Sequence, residues 1–314
     1  MLKINRHEAE SGASGRDANR EIPAPSQEML NAARAGYRNL SSEASEKLRA
    51  FILSRIDASG GFKGMDESPD IYYSVFGIEC MLAAGMDISV AGIDKLLPGN
   101  NTTTAGSILN ISSLIRLRCR TGYSDKGETA ALAGQAEEFR RDDGGYADSR
   151  DCRNGSVYAS FLAALAYWDI NAEVPRADSL VDFVLGRQAP GGGMVNRCSE
   201  AEPCCTATAA GIVILNRLGV LTAVNADWLQ LLEARNGGFY FSLKSKTPDL
   251  ISTAVSVYAL SLVSDGPGRN MRHAEFVQLF WHPEGGFCGI QAGERPDCEH
   301  TFYALMALGR LING

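Results

Sequence analysis

Residues 297–300 read Asp-Cys-Glu-His, and a run with helical apolar spacing follows. Carboxylate, thiolate and imidazole are zinc-ligand types, so the tetrapeptide could serve a metal site or a catalytic site. A third reading is structural. Asp70, Asp249 and Asp297 each follow a proline, at 69, 248 and 296, at the start of an apolar run. Proline is tolerated there because its missing N–H has no helical partner to lose. An aspartate is favoured there by the orphan N–H groups and the helix dipole. Capping accounts for the aspartates and leaves His300 unexplained.

The elements that must position these residues form a repeat. Glycine turns occur at Gly60-Gly61, Gly144-Gly145, Gly191-Gly192-Gly193, Gly237-Gly238 and Gly285-Gly286, the last four about 46–48 residues apart. The first gap, about 84, fits two shorter repeats, with the helix of the second over 102–119. A recurring period of this size marks a stacked-repeat architecture. About ten to twelve residues after each turn begins a run such as PDLISTAVSVYALSLVS or PDCEHTFYALMALGRL. These runs are apolar nearly all round, as expected of helices buried on most faces. Between them lie amphipathic stretches such as SEKLRAFILSRI, RADSLVDFVLGRQ and RHAEFVQLFWH, which read as an outer layer. The expectation is an all-α chain of about six helical hairpins, each with one inner and one outer helix. Periodicity alone does not decide between an open superhelix and a closed ring.

Composition narrows the setting. The 314 residues carry a net charge of -7, so nothing draws the chain to nucleic acid or an anionic membrane. No apolar run approaches the roughly 20 residues that span a bilayer. Residues 1–25 are polar, lack a signal-peptide core and read as a disordered leader, with 26–314 as a single domain. Cytoplasm is the expected compartment. The eight cysteines follow no disulfide-scaffold pattern and read as small buried hydrophobes.

The glycine turn, loop, Pro-Asp and inner helix resemble the repeat shared by protein prenyltransferases and squalene-type terpenoid cyclases. The likeness covers about residues 57–314 and is nearest to the β subunits of protein farnesyl- and geranylgeranyltransferases. It implies an α/α toroid whose inner helices surround an apolar cavity, with chemistry at their N-terminal ends. It further implies an isoprenoid diphosphate as substrate, a zinc ion or magnesium as cofactor, and a helical α subunit or a second copy as partner. Asp249 falls on a zinc aspartate, His300 on a zinc histidine and Lys246 on a diphosphate-binding lysine. Lys244, Arg197 and Arg295 would join Lys246 in a cationic rim that stabilises a leaving diphosphate. Tyr72, Tyr73, Phe76, Tyr158, Phe161, Trp168, Tyr258, Phe302 and Tyr303 lie on inner helices. In such a cavity their ring faces could stabilise cations.

The pattern is incomplete. Ile251 stands at the zinc cysteine position, Ala201 near a diphosphate-binding histidine and Ser252 at its tyrosine partner. Cys298, Cys204 or Cys205 could supply a relocated thiolate. Residues two apart on a helix point about 200° apart, so Cys298 could join His300 only from a non-helical lead-in. The alternative is a histidine hydrogen-bonded to Asp249 across neighbouring repeats. Asp142-Asp143 lacks the Asp-x-Asp-Asp pattern of alkene-protonating cyclases and reads as turn chemistry. Three readings stand: a prenyltransferase-like enzyme using Asp249, His300 and Lys246; a single-domain terpenoid cyclase with Asp249 or Asp70 as acid; and a non-catalytic toroid binding a lipid or protein.

Overall fold

In the computed structural model the described residues are 2, 23–97, 106–123, 126–263, 271–290 and 295–313. Most of the expected leader lies outside them; Pro25, its last residue, already opens a helix. That helix, α1 (Pro25–Arg38), is an addition to the expected hairpins. The chain continues through α2 (Ser42–Ser54), α3 (Ile71–Ala83), a short α4 (Ile93–Leu96) and α5 (Ile108–Thr121). Then come α6 (Lys126–Ala136), α7 (Val157–Asp169), α8 (Ala177–Leu185), α9 (Cys205–Arg217) and α10 (Ala223–Gln230). Last are α11 (Leu250–Val263), α12 (Met271–Gln278) and α13 (Cys298–Asn313). Residues 102–105 of the helix expected over 102–119 lie outside the described ones; its N-cap is Ser107.

Helices α3, α5, α7, α9, α11 and α13 form the inner ring. Each packs on the next, and α13 packs on α3, so the ring is closed. The outer layer is α2, α4, α6, α8, α10 and α12. This is the all-α, α/α toroid of six hairpins expected from the sequence, with the second outer element reduced to α4 and a 3-10 turn at Ile88–Ala91. Two small ladders support the turns: β1 (Phe62–Lys63) pairs with β2 (Pro69–Asp70), and β3 (Phe239–Tyr240) with β4 (Pro248–Asp249), both antiparallel.

One hydrogen-bonded device repeats around the ring. The backbone N–H of the residue after each glycine turn donates to a buried hydroxyl on the first turn of the following inner helix. The pairs are Phe62 to Ser74, Tyr146 to Ser160, Met194 to Thr208, Phe239 to Thr253 and Phe287 to Thr301, at 2.8–3.0 Å. At Thr208, Thr253 and Thr301 the same hydroxyl donates back to the carbonyl four residues earlier, at 2.6–2.8 Å. Each hydroxyl thus ties loop to helix and satisfies an N–H that burial would otherwise leave unpaired.

Closure is also visible in the outer layer. Gly285 has φ 106°, and a Cβ there would lie 2.3 Å from the Lys47 carbonyl oxygen of α2. Only glycine allows this conformation and this approach together. The sixth turn therefore seats on the first outer helix.

Helix α1 lies across the ring at the C-terminal halves of the inner helices. Gly36 and Gly309 let α1 and α13 touch backbone to backbone; a Cβ at Gly309 would lie 1.8 Å from the Ala32 carbonyl oxygen. Ser26 donates to Asp169 of α7, and Arg120 of α5 reaches Gln27 at 3.0 Å and Ser26 at 3.2 Å. Tyr258 of α11 donates to the Pro25 carbonyl at 3.3 Å, and Arg34 to the Leu82 carbonyl of α3 at 3.5 Å. Helix α1 thereby contacts five of the six inner helices and closes that end of the ring.

Candidate functional site

The opposite half of the ring encloses a cavity of about 410 Å³. Its walls follow helical spacing. Ile251, Val255 and Tyr258 of α11 line it at i, i+4 and i+7, as do Glu299, Tyr303 and Met306 of α13. Tyr158 and Phe161 come from α7, and Ala209, Ala210 and Val213 from α9. Met29 of α1 forms part of the floor, and the mouth carries Asp148, Asn196, Arg197, Glu200 and Phe241. The lining is mainly apolar with a few polar groups, the usual character of a small-molecule site.

Glu299 is the carboxyl group within the wall. Tyr72 donates to its Oε1 at 2.5 Å. Burial raises its pKa, and the Asp297 charge adds to the rise; the Tyr72 hydrogen bond and the His300 charge pull the other way. The net direction is upward, so the neutral acid is favoured relative to an exposed glutamate. Tyr303 and Tyr158 stand close enough for the Glu299 charge to raise both phenols, after burial itself.

Asp249, Asp297 and Asp70 are caps, as the spacing predicts. Asp70 Oδ1 accepts from Tyr73 N at 2.8 Å. Asp249 Oδ1 accepts from Ser252 N and Oδ2 from Ser252 Oγ, both at 2.7 Å. Asp297 Oδ1 accepts from His300 N at 2.8 Å, and its Oδ2 pairs with His300 Nδ1 at 2.7 Å. His300 therefore bonds the aspartate of its own helix start rather than Asp249, because three residues on a helix bring the ring back over the cap. None of Asp249, Asp297 and His300 lines the cavity.

Cys298 is buried at the first turn of α13, with the Cys80 thiol 3.6 Å from its carbonyl, and burial pushes its own thiol up to about 12. Its side chain does not join a ligand set with His300. Among the described residues, no group of three or more His, Cys, Asp and Glu is placed to hold a metal ion. With both Asp249 oxygens bonded to Ser252 and Ile251 in the cavity wall, the described side chains do not fit the expected zinc.

Of the expected rim, Arg197 reaches the cavity, where it is ion-paired to Asp148 at 2.8 Å and Glu200 at 3.2 Å. Lys246 is exposed and outside the lining, and Lys244 pairs with Glu202. Arg295 is exposed and reaches Glu67 at 3.6 Å. Of the aromatics, Tyr158, Phe161, Tyr258 and Tyr303 line the cavity. Tyr72, Phe76 and Phe302 line a smaller chamber beside it, and Tyr73 and Trp168 line neither. Tyr73 stacks edge-on against Tyr72 at 5.6 Å, and burial and nearby carboxylates raise its phenol to about 12.

Sequence reasoning passed over Glu299, Asp148, Glu200 and Met29. The signal for Glu299 was its helical phase: it sits four residues before Tyr303 and seven before Met306, a charged group on an apolar stripe.

The family model of the prenyltransferase alpha-alpha toroid domain matches residues 26–111, 124–276 and 270–313. The chain belongs to the prenyltransferase alpha-alpha toroid family. Other toroids share its fold at low identity. The type II terpene cyclase MstE from Scytonema, in a variant bound to geranylgeranyl dihydroxybenzoate, superposes with a TM-score of 0.58 at 13% identity, covering 91% of this chain and 97% of that one. A protein from Actinoplanes gives 0.60 at 16% identity, covering 90% and 98%. An α-1,6-mannanase from Salegentibacter, bound to α-1,6-mannotriose, gives 0.58 at 14% identity, covering 86% and 98%. No curated protein matches the chain in sequence. Among the described residues, no helix of this toroid is long and apolar enough to cross a membrane.

Proposed function

We propose that this toroid is an enzyme acting on a polyisoprenoid chain by protonating one of its double bonds, with Glu299 as the acid. The observation that carries the reading is a half-buried carboxyl group of raised pKa facing an apolar, aromatic-walled cavity of about 410 Å³. The Glu299 proton goes to an alkene carbon, and the π electrons form the new C–H bond, leaving a carbocation on the adjacent carbon. Tyr158, Phe161, Tyr258 and Tyr303 present ring faces or edges to that space, and ring faces attract cations. The Tyr72 hydroxyl stabilises the carboxylate that forms as the proton leaves. A second double bond of the same chain then attacks the cation and closes a ring. Loss of a proton ends the sequence and leaves an isomer of the substrate.

The charge at the mouth favours a neutral head group over a diphosphate. Arg197 is already engaged by Asp148 and Glu200, and Lys246 lies outside the cavity. This supports the cyclase-like reading over diphosphate-dependent prenyl transfer. The MstE complex with a geranylgeranyl substrate is consistent with an isoprenoid occupant. Magnesium and zinc have no step in this scheme.

The test is incubation with neutral polyisoprenoids in heavy water, followed by mass spectrometry. The expected product is a cyclised isomer carrying a single deuterium at the protonated carbon. Glu299→Gln should lower kcat by about 10²–10⁴-fold, the usual contribution of a general acid. Full turnover by Glu299→Gln would overturn the assignment.

A further inference from the structure

We infer that Met29 on α1 sets the depth of the cavity and so the length of apolar chain it accepts; this rests on the isoprenoid reading above. Met29 lines both the main cavity and a chamber of about 30 Å³ beside it, toward α3 and α5. It is itself buried, at 9% exposure. Its side chain therefore stands at the partition between the two spaces. The rest of the partition is Tyr158, Phe161 and Tyr303, whose rings also face both. These three come from inner helices that the ring holds on both sides. Met29 comes from a helix laid across the ring.

Helix α1 is fixed firmly enough to act as a stop. Ser26 and Gln27 are bonded to Asp169 and Arg120, and Tyr258 holds the Pro25 carbonyl. At its other end Gly36 is pressed against the Leu305 carbonyl. A chain entering from the mouth at Arg197 runs down the wall past Ile251 and Val255 and meets Met29. The main cavity alone is open to it. Shortening the Met29 side chain deepens the cavity at its floor and joins it to the side chamber, and enlarging it shortens the cavity.

The experiment measures displacement of a fluorescent apolar probe from the purified full chain by geraniol, farnesol and geranylgeraniol. Each added methylene that finds an apolar contact contributes enough that a few of them change affinity by about tenfold. Met29→Ala should shift the affinity ratio toward the longer alcohol by about tenfold, and Met29→Phe should shift it toward the shorter by a similar factor. Unchanged ratios in both variants, with all three alcohols still bound, would overturn the Met29 assignment and leave the isoprenoid reading intact. No binding of any of the alcohols by the unmodified protein would remove both. Photolabelling of the unmodified protein needs no variant: geranylgeraniol with a diazirine at its far end should mark α1 near Met29. A label confined to the mouth residues would also overturn the proposal.

Discussion

Glu299 and His300 are adjacent, and their side chains face different surroundings. His300 turns back to Asp297 and completes the helix start. Glu299 turns into the cavity, where desolvation raises its pKa and Tyr72 donates to it. Catalysis by an acid needs the protonated form, so activity should be highest at low pH and fall as pH rises through the raised pKa of Glu299. The Tyr72 hydrogen bond lowers that pKa, opposing burial. Tyr72→Phe should therefore move the alkaline limb of the kcat profile to higher pH while reducing kcat, because the departing carboxylate loses its donor. A pH–rate series on the two proteins checks this; an unmoved limb would separate Tyr72 from the acid. The same raised pKa has a sign for stability. The folded state binds the proton more tightly than the unfolded state, so this contribution is present below the unfolded pKa and is lost as pH rises through the folded one.

At the scale of the element, each inner helix is held by its cap and by the hydroxyl beneath the preceding turn. Asp249 and Thr253 illustrate both on α11. Asp249 accepts from the first turn, and Thr253 links that turn to Phe239 of β3 at 2.9 Å. Thr253→Val keeps the shape and removes the hydroxyl, leaving the Phe239 N–H buried without a partner. It should destabilise the protein by about 1–3 kcal/mol, and Thr253→Ser by less. Urea unfolding of the two variants measures the difference; equal stability of Val and Ser would mean that the hydroxyl contributes nothing. These hydroxyls were legible in the sequence as Ser or Thr spaced 12 or 14 residues after the aromatic or Met of each turn. They escaped notice because Ser and Thr inside an apolar run read as helix-packing residues. Only the fold shows that each faces a loop N–H.

For the whole molecule, two contacts decide the shape. One is the seat of Gly285 on α2, which joins the sixth repeat to the first. Gly285→Ala strains a backbone at φ 106° and drives a methyl into the Lys47 carbonyl. The strain alone is about 1–3 kcal/mol. Thermal unfolding should show a loss of at least that size, with hydrogen exchange quickened at the α2–α13 side of the ring. Exchange quickened evenly around the ring would argue against a local closure contact. The other contact is α1 across the inner helices. Its first turn docks on a buried ion network in which Arg120 pairs with Glu79 at 2.9 Å and Arg116 with Asp169 at 3.1 Å. Burial raises the Glu79 pKa while Arg120 and Arg116 oppose it, so the pairing keeps that carboxylate tolerable inside the molecule.

The sequence by itself determined the repeats, the inner and outer helices and the aspartate caps. These depend on helical periodicity, turn chemistry and orphan N–H groups, all of which act within a few residues. It placed the lining of the cavity only in part. Of the expected residues Arg197 and Tyr303 line the space and Asp249, His300, Lys246 and Cys298 do not, while Glu299, beside two of them in sequence, does. A shift of one position on a helix turns a side chain by about 100°, so neighbours in the chain can face different environments. Ring closure and the floor at Met29 were decided only by tertiary structure. Closure accumulates small rotations over six hairpins, and α1 reaches the core through contacts with residues more than a hundred positions away, such as Asp169 and Tyr258.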